Sequence, residues 1–364
     1  EYYSADHGCV VVMETKTGHI KAISNLGRAN DGSYYETQNY AITESHEPGS
    51  TFKLVDLIAV LDDKKADTSK IYDSKGGVIE YYGRKVSDSK PGGYGKISLA
   101  RGFELSSNTV LVQSVYDSYK NNPKQFVDRI NSYGLNKPLG LPIKGEGKPV
   151  IPQPGTNRWS GVALPWMAFG YGLSVTPLQT LTLYNAVAND GVMVKPIFVS
   201  EIKEWNKTIK KYNTEVINPK ICSQETLDKV QAVLENVVKK GTGSKLYSKD
   251  FSMAGKTGTA QVNYKDKSKL YYASSFVGYF PADEPKYSCI VVVHKPNVAA
   301  GYYGADVAGP VFKRIAQKIF TDSPSTNHVK NIDAKVVSQE KSYAEYYKKV
   351  EKEERIVPNV KGME

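Results

Sequence analysis

Apolar residues along this chain follow two different periods. Cys9 to Met13 is an unbroken strand-like run, and residues 19–24 form a second one. The turn Thr15-Lys16-Thr17-Gly18 between them predicts an opening hairpin. From Leu54 the period changes. Leu54, Leu57, Ile58 and Leu61 recur at helical spacing just after the break at Pro48-Gly49. Burying four such side chains is worth roughly 1.5–3 kcal/mol each before entropy is charged, so a rigid helical platform is expected here.

Further along, residues 62–100 are rich in Lys, Asp, Gly and Tyr and read as irregular, with short strands near Val78 to Tyr82. A helical stretch begins near Ile97 and runs beyond Val115, broken at or beside Ser106-Ser107-Asn108. Residues 136–160, dense in Pro and Gly, predict a long loop. Thr176 to Ala188 and Ser223 to Lys240 read as helices; in the second, Leu227, Val230, Leu234, Val237 and Val238 share a face and Gly241 ends it. Strands are expected at 252–262, 274–281 and 287–294, then a helix over 307–320 with Val311, Ile315 and Ile319 facing inward. Strands early and late with helices between and after predict an α/β (α+β) domain, a mixed sheet covered by helices.

Composition adds exclusions. No apolar run among the 364 residues approaches the ~18–20 needed to cross a bilayer, and Glu1-Tyr2-Tyr3 does not begin a signal peptide. The net charge is +10, which reads first as a solvated basic surface and second as attraction to an anionic wall or membrane face. Zinc-finger spacing, an RNP motif and a dense Arg cluster are all lacking, so no nucleic-acid partner is expected. Cys9, Cys222 and Cys289 are odd in number without a C-x-x-C, which gives no disulfide framework. The five histidines are scattered, and Pro48 after His46-Glu47 spoils an H-E-x-x-H helix, so no metal site is expected.

Candidate chemistry starts at Ser50. Lys53 lies three residues on, on the same helix face, and the first turn of a helix favours developing negative charge. An ordinary lysine, with a pKa of ~10.4, must be pushed down to near 7 to act as a base, at a cost of ~4.6 kcal/mol. Burial and a second cation both push that way, and Lys256 is the obvious second cation. Ser106-Ser107-Asn108 has the form S-x-N, which alone reads as a helix cap or turn. Lys256-Thr257-Gly258-Thr259 has the form K-T-G; an earlier copy, Lys16-Thr17-Gly18, sits in the hairpin turn and is assigned no chemistry.

S-x-x-K, S-x-N and K-T-G in this order are the motif set of penicillin-binding proteins and class A β-lactamases. The chain resembles the class B penicillin-binding proteins, D,D-transpeptidases that cross-link peptidoglycan. The likeness covers residues 8–320, including Gly170-Tyr171-Gly172-Leu173-Ser174-Val175-Thr176-Pro177-Leu178-Gln179 and Gly241-Thr242-Gly243. Glu47-Pro48-Gly49-Ser50 leans toward the cell-division type, although His46 stands where an aromatic is usual.

The resemblance implies a penicillin-binding transpeptidase fold, a five-stranded antiparallel sheet flanked by helices with an all-helical lobe. The active site would be a cleft between lobe and sheet edge. It implies that Ser50 is the nucleophile, Lys53 the base, Ser106 a proton relay and Asn108 a ligand for the lysine or the substrate amide. Lys256 would hold a carboxylate, with Ser107, Thr257, Gly258 and Thr259 lining the substrate, and the N–H groups of Ser50 and Thr259 would form the oxyanion hole. No cofactor is implied. The partners implied are peptidoglycan stem peptides, β-lactam antibiotics, a glycosyltransferase and division proteins. The place implied is the extracytoplasmic membrane face, with an N-terminal anchor absent from this chain. The alternatives are a β-lactamase or carboxypeptidase of the same fold, or a non-catalytic wall-binding module; the class A pattern E-x-x-L-N is absent. Residues 1–322 are expected to form the transpeptidase domain, 323–355 a polar linker and 356–364 the start of a truncated PASTA-like repeat.

Overall fold

The two opening runs become adjacent strands, β1 (His7–Glu14) and β2 (Ile20–Arg28), in a computed structural model that describes residues 1–264 and 266–322. The expected linker and PASTA-like end lie outside the described residues. A short β3 (Tyr34–Glu36) follows, and β4 (Ala254–Val262), β5 (Tyr271–Phe280) and β6 (Tyr287–His294) come from the far end of the sequence. The order is β4-β5-β6-β1-β2-β3, and every neighbouring pair is antiparallel. The sheet is thus wholly antiparallel rather than mixed, with six strands rather than five. The extra strand is β3, whose three residues pair with Leu26–Arg28. Apolar side chains fill both faces of β1: Val11, Val12 and Met13 are all buried, as a continuous β-branched run requires.

The platform helix, α1 (Lys53–Asp62), is buried along its length from Lys53 to Leu61. A 3₁₀ turn, Gly49–Phe52, precedes it, so Ser50 stands on that turn and not on the first turn of the α-helix. α2 (Leu99–Glu104) and α3 (Asn108–Tyr119) confirm the break around Ser106, with Ser98 and Ser107 as their N-caps. α4 (Pro123–Ser132) lies where no helix was expected; Phe126, Val127 and Ile130 bury one face of it. Residues 136–160 hold no helix or regular strand. α5 (Pro177–Ala188) opens with a capping box between Thr176 and Gln179 and is buried throughout. α6 (Gln224–Lys240) is capped by Ser223. In α7 (Gly309–Asp322) the expected face is shifted: Val311 is exposed, and Phe312 is the residue that packs on Phe276 and Phe280. By its contacts the chain divides after Arg314. In the first unit one apolar cluster joins β1 to α1, α3, α5 and α6.

Candidate active site

β4 carries the K-T-G motif and is an edge strand. Gln261 N–H points off its free side and donates to Tyr171 Oη at 2.7 Å. The two-residue period of a strand puts the N–H groups of Thr259 and Thr257 on that same side. The Ser50 turn packs against this strand, and the glycines explain how closely. Gly49 has φ +56°, and a Cβ there would lie 2.9 Å from Ala260 Cβ. A Cβ on Gly258 would lie 2.9 Å from Thr51 Cγ2 and 2.2 Å from Ser275 Oγ. The space left by Gly258 is therefore filled by the protein's own Thr51 and Ser275, not kept open for a ligand. Tyr184 Oη, donating to the Thr51 carbonyl at 2.8 Å, ties the turn to α5.

Beside the turn, two lysines meet one hydroxyl. Lys53 and Lys256 are both fully buried. Lys256 Nζ donates to Ser106 Oγ at 2.8 Å and to its neighbour's carbonyl, Thr257 O, at 3.0 Å. Lys53 Nζ donates to the Ser106 carbonyl at 2.7 Å and to Asn108 Oδ1 at 2.6 Å, with Ser106 Oγ at 3.3 Å. Asn108 is fixed in that orientation because its Nδ2 donates to Ser87 O at 2.7 Å. Ser106 holds its place with φ +57°, unusual for a non-glycine; such backbone costs about 1–3 kcal/mol and persists where the surroundings over-determine it.

These bonds fix what Lys53 can do. A neutral amine has two N–H donors and one lone pair. Both donors are used on acceptors that cannot donate back, which leaves the lone pair for a hydroxyl proton. Burial pushes the Lys53 pKa down to about 7, against the charges of Asp88 and Asp56, which raise it. Burial also pushes Lys256 well down, with the charge of Lys53 adding to it. Two ammoniums sharing one hydroxyl repel, so the pair gives up its first proton more readily than an isolated lysine.

Other expected residues are placed differently. Ser107 is buried, donates to both oxygens of Asp88 at 3.1 Å and caps α3 by accepting from Val110 N at 3.2 Å, so its hydroxyl is engaged within the protein. Thr257 Oγ1 lies 2.7 Å from Thr242 Oγ1, and Thr259 Oγ1 accepts from Gly304 N at 3.0 Å. Among the described residues Ser50 Oγ has no hydrogen-bond partner, and Lys53 does not reach it. Asp88 was not anticipated. It gathers Ser107 and both the N–H and the hydroxyl of Thr109, and only its position among polar loop residues could have signalled it.

The histidines are not scattered in space. His7 Nε2 lies 2.7 Å from Glu44 Oε2, and His294 Nε2 lies 3.8 Å from the same oxygen. His7 stacks on His294 with ring centroids 4.3 Å apart, and His46 meets His294 edge-on at 4.9 Å. Burial pushes His46 down and His294 down to about 3. Burial opposes the Glu44 charge too, but the His7 hydrogen bond and the nearby imidazoles hold its pKa to about 2. The sheet register that sets His7 opposite His294 has no trace in local spacing.

Residues 8–317 match the family model of the penicillin binding protein transpeptidase domain. The chain belongs to that family. Stage V sporulation protein D of Bacillus subtilis is 29% identical over 328 residues, covering 86% of this chain and 49% of that protein. Peptidoglycan D,D-transpeptidase FtsI of Escherichia coli K12 is 28% identical, covering 86% and 51%. The chain spans about half the length of the curated relatives it matches. Among solved structures, penicillin binding protein 3 from Mycobacterium tuberculosis complexed with aztreonam superposes with a TM-score of 0.76 at 26% identity, covering 88% of this chain and 74% of that one. The D,D-transpeptidase domain of a peptidoglycan glycosyltransferase from Eggerthella lenta gives 0.74 at 26%, covering 87% and 79%.

Proposed function

We propose that this chain is the serine D,D-transpeptidase domain of a class B penicillin-binding protein of the division type. The observation that carries the reading is the Ser106 hydroxyl held at 2.8 Å by buried Lys256 and at 3.3 Å by buried Lys53, next to the turn bearing Ser50. Ser50 Oγ attacks the carbonyl of the penultimate D-Ala of a stem peptide and passes its proton to neutral Lys53. The oxyanion is met by the N–H groups of Ser50 and Thr259. The C–N bond breaks, and the leaving D-Ala amine takes a proton through Ser106. An amine from a second stem peptide then attacks the Ser50 ester, releases Ser50 and forms the cross-link. A β-lactam follows the first half of this path, its ring opening to leave an ester on Ser50. Thr257 and Thr259 hydroxyls and the field of Lys256 suit the substrate carboxylate. This activity would place the domain at the extracytoplasmic membrane face, working with a glycosyltransferase and division proteins.

Intact-mass measurement after incubation with benzylpenicillin tests the reading. One covalent equivalent is expected on Ser50, and none on a folded Ser50→Ala variant. An adduct on another residue, or none, refutes it. Loss of the adduct within seconds identifies a hydrolase of the same fold instead.

A further inference from the structure

We propose that His7, Glu44 and His294 form a binding site for a divalent transition metal, best suited to zinc. These three residues bring their ligand atoms within 4.8 Å of one another. Two imidazoles and one carboxylate are an established zinc donor set, and a fourth position is left for water. Zn–N and Zn–O bonds of about 2.0–2.2 Å put tetrahedral ligand atoms roughly 3.3 Å apart. The observed separations of 2.7 Å for His7 to Glu44 and 3.8 Å for His294 to Glu44 lie on either side of that value.

Three observations favour an ion over a plain buried ion pair. His7 directs its second nitrogen, Nδ1, at the Asp6 carboxylate at 3.0 Å, and a carboxylate behind the imidazole is the usual outer partner of a metal-binding histidine. His294 is 2% exposed, and its Nε2 stands 3.8 Å from Glu44 Oε2, beyond hydrogen-bond distance. Buried polar atoms normally find partners, and an ion between these two atoms would supply one. The rings are also pre-set: Tyr40 stacks on His7 at 4.2 Å and His7 on His294 at an interplanar angle of 11°. Glu44 has 27% of its side chain exposed, which leaves a route for the ion.

The site also has a place in the fold. Glu44 begins the segment that ends at Ser50, and His46 within it exchanges backbone hydrogen bonds of 3.1 Å with Val175. An ion held by Glu44 would tie the start of that segment to the β1–β6 pair. Its effect would be on stability rather than on the acyl-transfer chemistry.

The test uses the tag-free full chain, stripped with a chelator and titrated with ZnCl₂ by calorimetry, with CoCl₂ as an optical probe. One equivalent of zinc is expected to bind with micromolar or tighter affinity, and Co(II) should develop the visible bands of a four- or five-coordinate N/O site. At a hundredfold excess over Kd the melting temperature should rise by roughly 5 °C. Asp6→Asn, which leaves all three ligands in place, should weaken binding about 10–100-fold, and His7→Gln should remove the Co(II) bands. Both variants should still take one penicillin at the native rate, which shows that they are folded. Absence of stoichiometric binding at 100 μM zinc overturns the proposal, as does unchanged affinity in both variants.

Discussion

Two buried polar clusters sit at the two ends of one short segment, residues 44–53, and burial disfavours charge in both but is overcome in only one. At the end of the segment, the amines of Lys53 and Lys256 surround a hydroxyl, with only carbonyl and amide oxygens as their other direct partners. Removing water there disfavours charge, and the Lys53 proton becomes transferable near neutral pH. At the start, Glu44 is an anion among imidazoles. Removing water there keeps His46 and His294 neutral, while the His7 hydrogen bond holds the carboxylate charged. One desolvation effect yields a proton acceptor in the first place and a set of lone-pair donors in the second. The deciding difference is whether a compensating charge of opposite sign lies in direct contact.

The most direct way to break this comparison is to remove the proton acceptor. Lys53→Ala should slow acylation by a fluorescent penicillin about 10³-fold or more, within the range of general-base catalysis. In the unaltered protein the rate should rise as pH passes upward through about 7, because the reactive form of Lys53 is the neutral one. A rate that is flat across that region, or a variant that retains most of its activity, would mean that Lys53 is not the base.

Lys256→Ala should have the second-largest effect, about a hundredfold, comparable to losing one electrostatic donor. Its Nζ positions Ser106 Oγ rather than acting on Ser50, so residual acylation with a pH rise is expected to survive. The midpoint should stay near 7, since burial and the neighbouring carboxylates set the Lys53 pKa while the Lys53 charge acts on Lys256. Rate losses equal to those of Lys53→Ala, with the pH rise abolished, would erase the division of roles between the two lysines.

How legible each cluster was follows from the range of its contacts. The platform helix and the S-x-N break were readable because helical spacing and caps are local signals, with Leu54, Leu57, Ile58 and Leu61 marking the platform; the Ser50–Lys53 pair rested on α-helical spacing, whereas Ser50 stands on a 3₁₀ turn. The pairing of Lys53 with Lys256 was reachable only through motif order. The histidine cluster was not reachable at all, because it is assembled by the register of β1 on β6 across nearly three hundred residues. β3 was too short to show a period. α4 was missed although Pro123 at its start and Phe126, Val127 and Ile130 carried a signal. Ser107 was ambiguous because a serine in S-x-N looks the same whether it faces a ligand or caps a helix, and its contacts are those of a cap.

Ser107→Ala sharpens that last point. Losing the cap on α3 and the hydroxyl on Asp88 should cost roughly 1–2 kcal/mol of stability, with acylation reduced only a few-fold through a less well held Asn108. Calorimetric melting alongside acylation rates checks it. A substrate contact would show the reverse, a kinetic defect with unchanged melting temperature.

The smallest effect on acylation concerns the two carboxylates whose charges would raise the Lys53 pKa, Asp88 and Asp56. Asp88 is satisfied by Ser107 and Thr109 and acts as an anion. Asp56 is fully buried, and neither of its oxygens has a hydrogen-bond partner. Burial raises its pKa well above the ordinary carboxylate value, against the Lys53 charge. Asp88→Asn should therefore move the acylation midpoint below about 7, and Asp56→Asn should lower it less. The stabilities separate the two residues as well. An acid whose folded pKa is raised contributes stability that is complete below its unfolded pKa of ~3.9 and is lost as pH rises toward the folded value. Asp56→Asn removes that loss, so its melting temperature relative to the unaltered protein should climb steadily from pH 4 upward. If Asp56→Asn lowers the midpoint as far as Asp88→Asn does, and its relative stability does not change with pH, then Asp56 is charged in the native state.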